Sequence, residues 1–201
     1  VDVTLIADSG AQVIGSGLWT YEIEGSVTTV SPSQGQFGTI VTIFGSQLAG
    51  YGGHVINVTL AGVAATTIIH ENETVVVVKA GPSLGGSATT GNVVLIADTG
   101  AIVTKTGGWS YLVQGVIQTV SPSVGQLGTL LTVTGTQLLG GGSNIVNATL
   151  ANIVVDSIVS SNNSQVVLRA AASASSLVGD VVLVADSGAI ITRANAWNYS
   201  S

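Results

Sequence analysis

The feature that most constrains the fold of this chain is a long internal repeat. Residues 30–33 read Val-Ser-Pro-Ser and return at residues 120–123, and the Asn-x-Thr-Leu-Ala segment at residues 57–61 returns at residues 147–151. Self-similarity at a fixed period is the signature of an array of structural units. The sequence therefore predicts tandem repeats of about 90 residues.

A third element occurs three times and marks the end of each unit. It reads Ala-Asp-Ser/Thr-Gly-Ala and is followed each time by Trp-x-Tyr; the copies begin at Ala7, Ala97 and Ala185. The second spacing is 88 residues (185 − 97), so we expect two residues to be missing from a loop between residues 170 and 179. The predicted divisions are 1–25, the closing hairpin of a preceding partial repeat, then 26–115, the first unit, and 116–201, the second unit.

Apolar residues within each unit follow the period of a β-strand. Ile56, Val58 and Leu60 alternate with Asn57 and Thr59, which predicts that the apolar three point into a core and the polar two point outward. Residues 75–78 and 93–96 are continuous apolar runs, short enough for strands buried between two sheets. The Asp-Thr-Gly at residues 98–100 predicts a hairpin turn. The expected fold is all-β, with six or seven short strands forming a sandwich in each unit.

These motifs resemble a known family. The Ser-Pro-Ser-x-Gly opening, the Gly-Thr-x-x-Thr-x-x-Gly strand and the closing hairpin with Trp-x-Tyr are similar to IPT/TIG domains. The resemblance implies tandem immunoglobulin-like (E-set) β-sandwiches of an extracellular repeat protein. It implies no single function, since such modules serve as spacers, adhesion modules and parts of DNA-binding proteins.

The composition excludes several classes of function. Four basic and ten acidic residues give a net charge of −6, which is wrong for a protein that neutralises nucleic acid phosphates. Apolar residues make up 46% of the chain, but their runs are far shorter than the ~20 residues that span a bilayer, so we expect no membrane insertion in this segment. The absence of Cys excludes disulfides, metal–thiolate sites and a cysteine nucleophile.

No pattern indicates catalysis. His54 and His70 occur only in the first unit, and Glu71 and Glu73 have no acidic counterparts in the second. The recurring aspartates each stand alone in a turn, whereas a calcium site needs several carboxylates; they are Asp8, Asp98 and Asp186. We therefore expect no enzyme activity, no metal and no cofactor apart from covalent glycans. For Trp19, Trp109 and Trp197, packing in the core or against the next unit is favoured over a role as sugar-stacking platforms.

The sharpest chemical signal is the N-glycosylation sequon Asn-x-Ser/Thr. It occurs five times, at Asn57, Asn72, Asn147, Asn162 and Asn198. Two pairs are in register at 90 residues, Asn57 with Asn147 and Asn72 with Asn162. The alternative is that duplication copied polar residues that the surface of the sheet requires. Glycans would solubilise a chain in which only 7% of residues are charged, against about 25% in typical domains.

The segments between units contain no flexible linker, so the sequence predicts a semi-rigid rod that gains on the order of 35–40 Å per unit. The favoured function is a structural, non-enzymatic, N-glycosylated fibre or stalk located outside the cell or on its surface. We expect it to self-associate into filaments, one route being strand addition through residues 1–25. The alternative for residues 1–25 is that they are the end of a repeat cut from a longer array. The alternatives are an adhesin or receptor-type module that recognises a protein or glycan through its loops, and an accessory domain of a secreted glycosidase.

Overall fold

A computed structural model describes residues 1–200, and their regular secondary structure is β-strand apart from a single 3₁₀ turn at Leu84–Gly86. The N-terminal hairpin, residues 1–25, contains β1 (Val3–Ile6) and β2 (Gln12–Gly15). The strands of the first unit are β3 (Ser26–Ser31), β4 (Gln34–Gly35), β5 (Ile40–Ser46), β6 (Val55–Leu60), β7 (Val63–Ala64), β8 (Thr67–Glu71), β9 (Val75–Lys79), β10 (Thr89–Ala97) and β11 (Ile102–Tyr111). The strands of the second unit are β12 (Val116–Ser121), β13 (Val124–Gly125), β14 (Leu130–Thr136), β15 (Ile145–Leu150), β16 (Ile153–Val154), β17 (Ser157–Ser161), β18 (Gln165–Arg169), β19 (Leu177–Ala185) and β20 (Ile190–Tyr199).

Each unit is a two-layer sandwich with the same topology. The first unit has a four-stranded sheet in the order β3-β5-β9-β8 and a five-stranded sheet in the order β4-β11-β10-β6-β7. The second unit repeats both orders, as β12-β14-β18-β17 and β13-β20-β19-β15-β16. The short strands β4 and β13 pair in parallel with the last strand of their unit, and the other pairs are antiparallel. The predicted all-β, immunoglobulin-like fold class is confirmed.

Alternation of side chains builds a separate core in each unit. In β9, Val76 and Val78 are fully buried, while Val75 and Val77 face the other way and are half-buried. The closing hairpin β10–β11 adds the largest buried side chains, Trp109 among them. Because the strands of a unit are connected by short turns, each core lies within one stretch of about 90 residues.

The expected orientation of Ile56 is wrong. Its side chain is 62% exposed, whereas the neighbouring Val55 is buried. The cause is a β-bulge: Asn57 pairs with Ile96 and Val55 with Ala97, so Ile56 is an extra residue that turns outward. An alternating sequence pattern cannot show such a one-residue insertion.

The shortened repeat is explained by a loop, as expected. Nine residues, 80–88, separate β9 from β10, and seven residues, 170–176, separate β18 from β19. The two-residue difference leaves the strands unchanged. Among residues 1–200, no helix has the length and apolar character needed to cross a membrane.

Candidate functional site

The junction between the two units is short and tightly packed. Strand β11 ends at Tyr111 and β12 begins at Val116, so four residues join the sandwiches. Gly115 lies so close to the second unit that a Cβ atom there would be 2.5 Å from the carbonyl oxygen of Gln137. Only glycine fits without a shift of the backbone, and the close approach leaves the connection little freedom to swing.

A buried glutamine of the first unit connects both sides of this junction. The side chain of Gln36 is fully buried. Its Oε1 accepts a hydrogen bond of 2.7 Å from the backbone N–H of Gly115, and its Nε2 donates to the carbonyl of Gln137 at 3.5 Å. Its own backbone N–H donates to Oγ1 of Thr39 at 3.1 Å, which fixes the loop that carries it. A buried amide with these partners ties the units together, since leaving its partners unpaired costs free energy.

Two backbone hydrogen bonds reinforce the junction. Ile40 donates from its backbone N–H to the carbonyl of Ser187, and Ile190 donates to the carbonyl of Phe37, both at 2.9 Å. These two hydrogen bonds join the loop before β5 to the turn between β19 and β20. Backbone bonds of this kind define a relative orientation of the two units as well as an attachment.

The closing tryptophans of the two units are core residues, as favoured from the sequence. Trp109 and Trp197 are buried, and each packs edge-to-face against the tyrosine two residues later, with ring centroids 5.6 and 5.5 Å apart. Burial raises the pKa of Tyr111 to about 12 and also raises the pKa of Tyr199. These rings are inaccessible to a sugar.

The same residues of the N-terminal hairpin are exposed. Leu5, Val13, Trp19 and Tyr21 are 66%, 68%, 53% and 79% exposed, and Trp19 and Tyr21 still form an edge-to-face pair at 6.0 Å. Their counterparts in the first unit, at most 3% exposed, are Leu95, Val103, Trp109 and Tyr111. The face of the hairpin that corresponds to the buried face in the first unit is therefore exposed.

Residues equivalent to those of the junction are also present at the two outer ends of the two-unit body. In the second unit, Gln126 holds the place of Gln36, and its backbone N–H donates to Oγ1 of Thr129 at 3.0 Å in the same loop. Gln126 is exposed, together with Leu127 (64%) and Leu130 (50%). We call these three residues the distal face.

The corresponding surface is formed by the end of the N-terminal hairpin and by the first unit, and is called here the proximal face. It consists of Gly25, Gln47, Thr99 and Ile102, the counterparts of Gly115, Gln137, Ser187 and Ile190. A Cβ atom on Gly25 would be 2.1 Å from the carbonyl oxygen of Gln47, the same close approach as at Gly115. Both faces are equivalent in sequence position to the residues that meet at the junction. Neither face was predicted from the sequence, although the 90-residue register of Gln36 and Gln126 is a signal for them.

Two of the predicted glycosylation sites lie at exposed turns. Asn72 and Asn162 occupy the same position in the β8–β9 and β17–β18 turns and are exposed. In each, Oδ1 accepts hydrogen bonds of 2.8–3.0 Å from the backbone N–H and the hydroxyl of the sequon residue, Thr74 or Ser164. The asparagine therefore shapes its own turn while remaining accessible from solvent.

The other three sequons are within strands. Asn57 and Asn147 follow the bulge in β6 and β15; the first is half-buried and the second exposed. Asn198 is half-buried in β20, beside the buried Trp197. The sequon positions therefore differ in access, and the two turn sites are the most open pair.

Two of the recurring aspartates accept hydrogen bonds from neighbouring loops. Asp98 accepts a hydrogen bond of 3.0 Å from the backbone N–H of Gly53, and Asp186 accepts bonds from Ser143 and Asn144 at 2.9 and 3.2 Å. Each aspartate thereby braces a glycine-rich loop of its own unit. Within residues 1–200, no three His, Asp or Glu side chains are grouped to hold a metal ion.

One ion pair distinguishes the first unit. Nδ1 of His54 lies 2.7 Å from Oε1 of Glu71, and Oε2 of Glu71 accepts a short hydrogen bond from the backbone N–H of Val55. The hydrogen bond and charge of Glu71 raise the pKa of His54. Partial desolvation favours a higher pKa for Glu71, but the hydrogen bonds from Val55 and His54 outweigh it and lower the pKa. The pair and the bond from Val55 link the start of β6 to the end of β8.

The architecture and the junction define a class: tandem immunoglobulin-like sandwiches joined end to end. The family model of the IPT/TIG domain matches residues 26–111 and 116–199, and the chain belongs to that family. The model that matches describes an immunoglobulin-like module and not a catalytic domain. No curated protein sequence matches the chain.

Two solved structures show the same fold at low identity. Two structures of the plexin A4 extracellular region are 19% and 20% identical to the chain, with TM-scores of 0.53 and 0.50; each alignment covers 92% of this chain. The chain spans 16% and 19% of the length of those plexin chains. SGBP-B, from a xyloglucan utilization locus in Bacteroides uniformis, is 18% identical over 87% of this chain and 49% of its own, with a TM-score of 0.35.

Proposed function

We propose that the chain is a non-enzymatic segment of a stiff, N-glycosylated fibre or stalk outside the cell. The observation that carries this proposal is the junction, where Gln36 is buried between the two units and bonded to both Gly115 and Gln137. A junction of this kind holds two sandwiches at a set angle, which is what a spacer requires. The extracellular location is supported by the fold shared with plexin extracellular regions.

The stiffness is tested by removing the buried glutamine. Gln36→Ala leaves the N–H of Gly115 unpaired, at a cost of about 1–3 kcal/mol, and should widen the range of angles between the units. Spin labels on cysteines introduced at the exposed positions Thr67 and Ser160, one in each unit, report this range as a distance distribution.

The matched control is Gln126→Ala, because the same residue at the same place in the second unit is exposed. The distribution should be narrow in the parent chain, broad with Gln36→Ala and unchanged with Gln126→Ala. A parent chain with a broad distribution would contradict the proposal of a stiff rod.

Glycosylation is part of the proposal. Two variants of Asn162 distinguish the attachment of a glycan from the structural role of the asparagine side chain in its turn. In Asn162→Asp, a carboxylate oxygen accepts the same turn hydrogen bonds but no sugar can be attached. In Asn162→Ala, both functions are lost, with a destabilisation of about 1 kcal/mol. After secretion from a eukaryotic host, both variants should lose the mass of one glycan, and only the alanine variant should unfold at lower temperature. If the parent and Asn162→Asp do not differ by the mass of a glycan, Asn162 is not glycosylated.

A binding module remains the second candidate, and one loop favours it. Tyr51 is 48% exposed between Gly50 and Gly52, and the counterpart in the second unit is Gly141. Tyr51 contributes to a cleft with Trp19 and Tyr21, where a protein or sugar could stack. If the loop binds a glycan, Tyr51→Gly should abolish retention of the chain on glycan arrays while Ile56→Gly, another exposed apolar truncation, should not.

A further inference from the structure

A polar cleft lies on the flank of the second unit, between β12 and β20. Its volume is about 350 Å³, which is enough for a small ligand, and its polar lining side chains are Gln118, Thr119, Ser123, Arg193 and Asn195. The counterparts of these residues in the first unit are Thr28, Thr29, Ser33, Lys105 and Gly107. None of those counterparts takes part in the hydrogen bonds across the junction, so the cleft does not depend on what adjoins the ends of its unit.

Irregular strand pairing places polar side chains along this cleft. In β12, Gln118 is the extra residue of a β-bulge. In β20, three residues, 194–196, lie opposite the single Asp180 of β19. Such irregularities interrupt the pairing of strands and re-aim side chains. Those of Gln118 and Asn195 line the cleft, whereas that of Asp180 does not.

The guanidinium of Arg193 is held in position at the wall of the cleft. Its Nη1 donates to the backbone carbonyl of Ile117 at 3.5 Å and to that of Gln118. Both bonds come from one nitrogen, so Nε and Nη2 can donate to a ligand in the forked geometry that fits a carboxylate. Arg193 takes part in neither ion pair of residues 1–200. The described residues that line the cleft include no acidic side chain, although the chain has ten.

Asn195 adds an amide at a position where the backbone favours glycine. Its φ is +51°, in the left-handed region, and its N–H donates to Oδ1 of Asp180 at 2.9 Å. The same position in the first unit is Gly107, with φ +60° and an N–H that donates to Oδ1 of Asn92 at 3.1 Å. Glycine therefore satisfies this backbone, and asparagine is one of the few other residues that tolerate it. In the second unit the position also supplies a hydrogen-bonding side chain to the cleft.

We propose that this cleft binds a sugar acid, the hexuronate unit of an acidic polysaccharide. Arg193 pairs with the carboxylate, and the sugar hydroxyls lie against the polar side chains of Gln118, Ser123 and Asn195. A simple carboxylate uses only the guanidinium, and a neutral sugar leaves the guanidinium unpaired. A hexuronate matches both parts of the lining. The site goes beyond the fibre function, since it gives the flank of the segment a means of attachment to an acidic polysaccharide.

Three small probes separate the parts of this recognition. Methyl glucuronide and methyl glucoside differ only in having a carboxylate or a hydroxymethyl group on the same carbon, and acetate carries a carboxylate without a sugar. In an NMR titration of isotope-labelled chain, methyl glucuronide should shift the backbone amide signals of Gln118, Arg193 and Asn195. Methyl glucoside and acetate should each bind at least about ten-fold more weakly, because each leaves part of the lining unmatched.

Added salt should weaken the binding of methyl glucuronide, as expected for a partly exposed charge pair. Equal binding of acetate would mean that the site recognises any carboxylate, including those of proteins, and would overturn the assignment to a sugar. Equal binding of methyl glucoside, or no shifts at these amides, would overturn the pairing with Arg193.

Variants taken from the first unit locate the site. Arg193→Lys and Asn195→Gly each install the residue found at the same position there, so both should fold. Arg193→Lys should weaken the binding of methyl glucuronide about ten-fold, because an ammonium cannot form the forked pair. Asn195→Gly should also weaken it, without loss of thermal stability.

The matched control is Lys105→Gln, which removes a positive charge from the equivalent position of the first unit and should leave the affinity unchanged. Unchanged affinity in either variant of the second unit, or a loss with Lys105→Gln, would overturn this site. None of these measurements concerns the angle between the units, so the stiff rod stands or falls on the spin-label distances.

Discussion

Gln36 and Gln126 are the same amino acid in the same loop of their repeats, and they differ in what surrounds them. Both backbones are fixed by a threonine three residues later, at 3.1 and 3.0 Å. Gln36 is buried because a second unit follows it, and Gln126 is exposed at the far end of the body. The role of such a residue is set by its neighbours in space and not by its identity.

At the residue scale, the ion pair between His54 and Glu71 predicts a pH dependence that the second unit lacks. The raised pKa of His54 contributes stability that is complete below about 6.5 and is lost as the pH rises through the folded pKa. The lowered pKa of Glu71 contributes stability that is present above about 4.5 and is lost as the pH falls through its folded pKa. The first unit should therefore gain most between these two values.

The matched variant is His54→Asn, which installs the residue that the second unit has at Asn144. Thermal unfolding followed from pH 3 to 9 should show a flatter profile for this variant. A profile identical to that of the parent would mean that the pair contributes nothing measurable, as is common for exposed ion pairs.

At the element scale, the three closing hairpins share a sequence motif but not an environment. The turn, the strand pairing and the edge-to-face aromatic pair form in all three. In β10–β11 and β19–β20 the apolar face is covered by the opposite sheet, and in the N-terminal hairpin it is exposed. Local sequence therefore makes a hairpin, and tertiary contacts make it part of a core.

A pair of tryptophan variants measures this difference. Trp109→Ala empties a fully buried site and should destabilise the first unit by about 3–5 kcal/mol in urea unfolding. Trp19→Ala removes the same group from an exposed site, and monomeric protein should unfold with an unchanged midpoint. A comparable loss of stability in both variants would show that the hairpin is already buried in a partner under the conditions of the measurement.

At the scale of the whole molecule, the junction converts two domains into one body. The apolar cores are separate, and the connection between them includes polar groups: the amide of Gln36 and the backbone bonds of Ile40 and Ile190. Hydrogen bonds in this protected setting are directional, and they specify an angle that apolar contact alone would leave less defined.

Amide hydrogen exchange tests this arrangement with internal controls. The amides of Ile40 and Ile190 are bonded across the junction, while Leu130 and Ile102 hold the same places at the two outer ends. In monomeric protein, we expect the junction amides to exchange at least ten-fold more slowly than their counterparts. Equal rates would mean that the junction opens freely.

The sequence by itself determined the repeat, its all-β character and the family. These follow from local rules, since strand alternation and turn residues such as the Asp and Gly after β10 act within a few positions. It also located the sequons, though the access of each asparagine depended on the fold.

Tertiary structure alone decided three features. The bulge that turns Ile56 outward depends on the register with β10, the burial of Gln36 depends on a unit that begins 80 residues later, and the exposure of Trp19 depends on which sheet faces it. Each is a matter of contact between segments distant in sequence. In the sequence, equivalent positions of the repeats carry the same residue type. Only the three-dimensional arrangement gives these residues different environments.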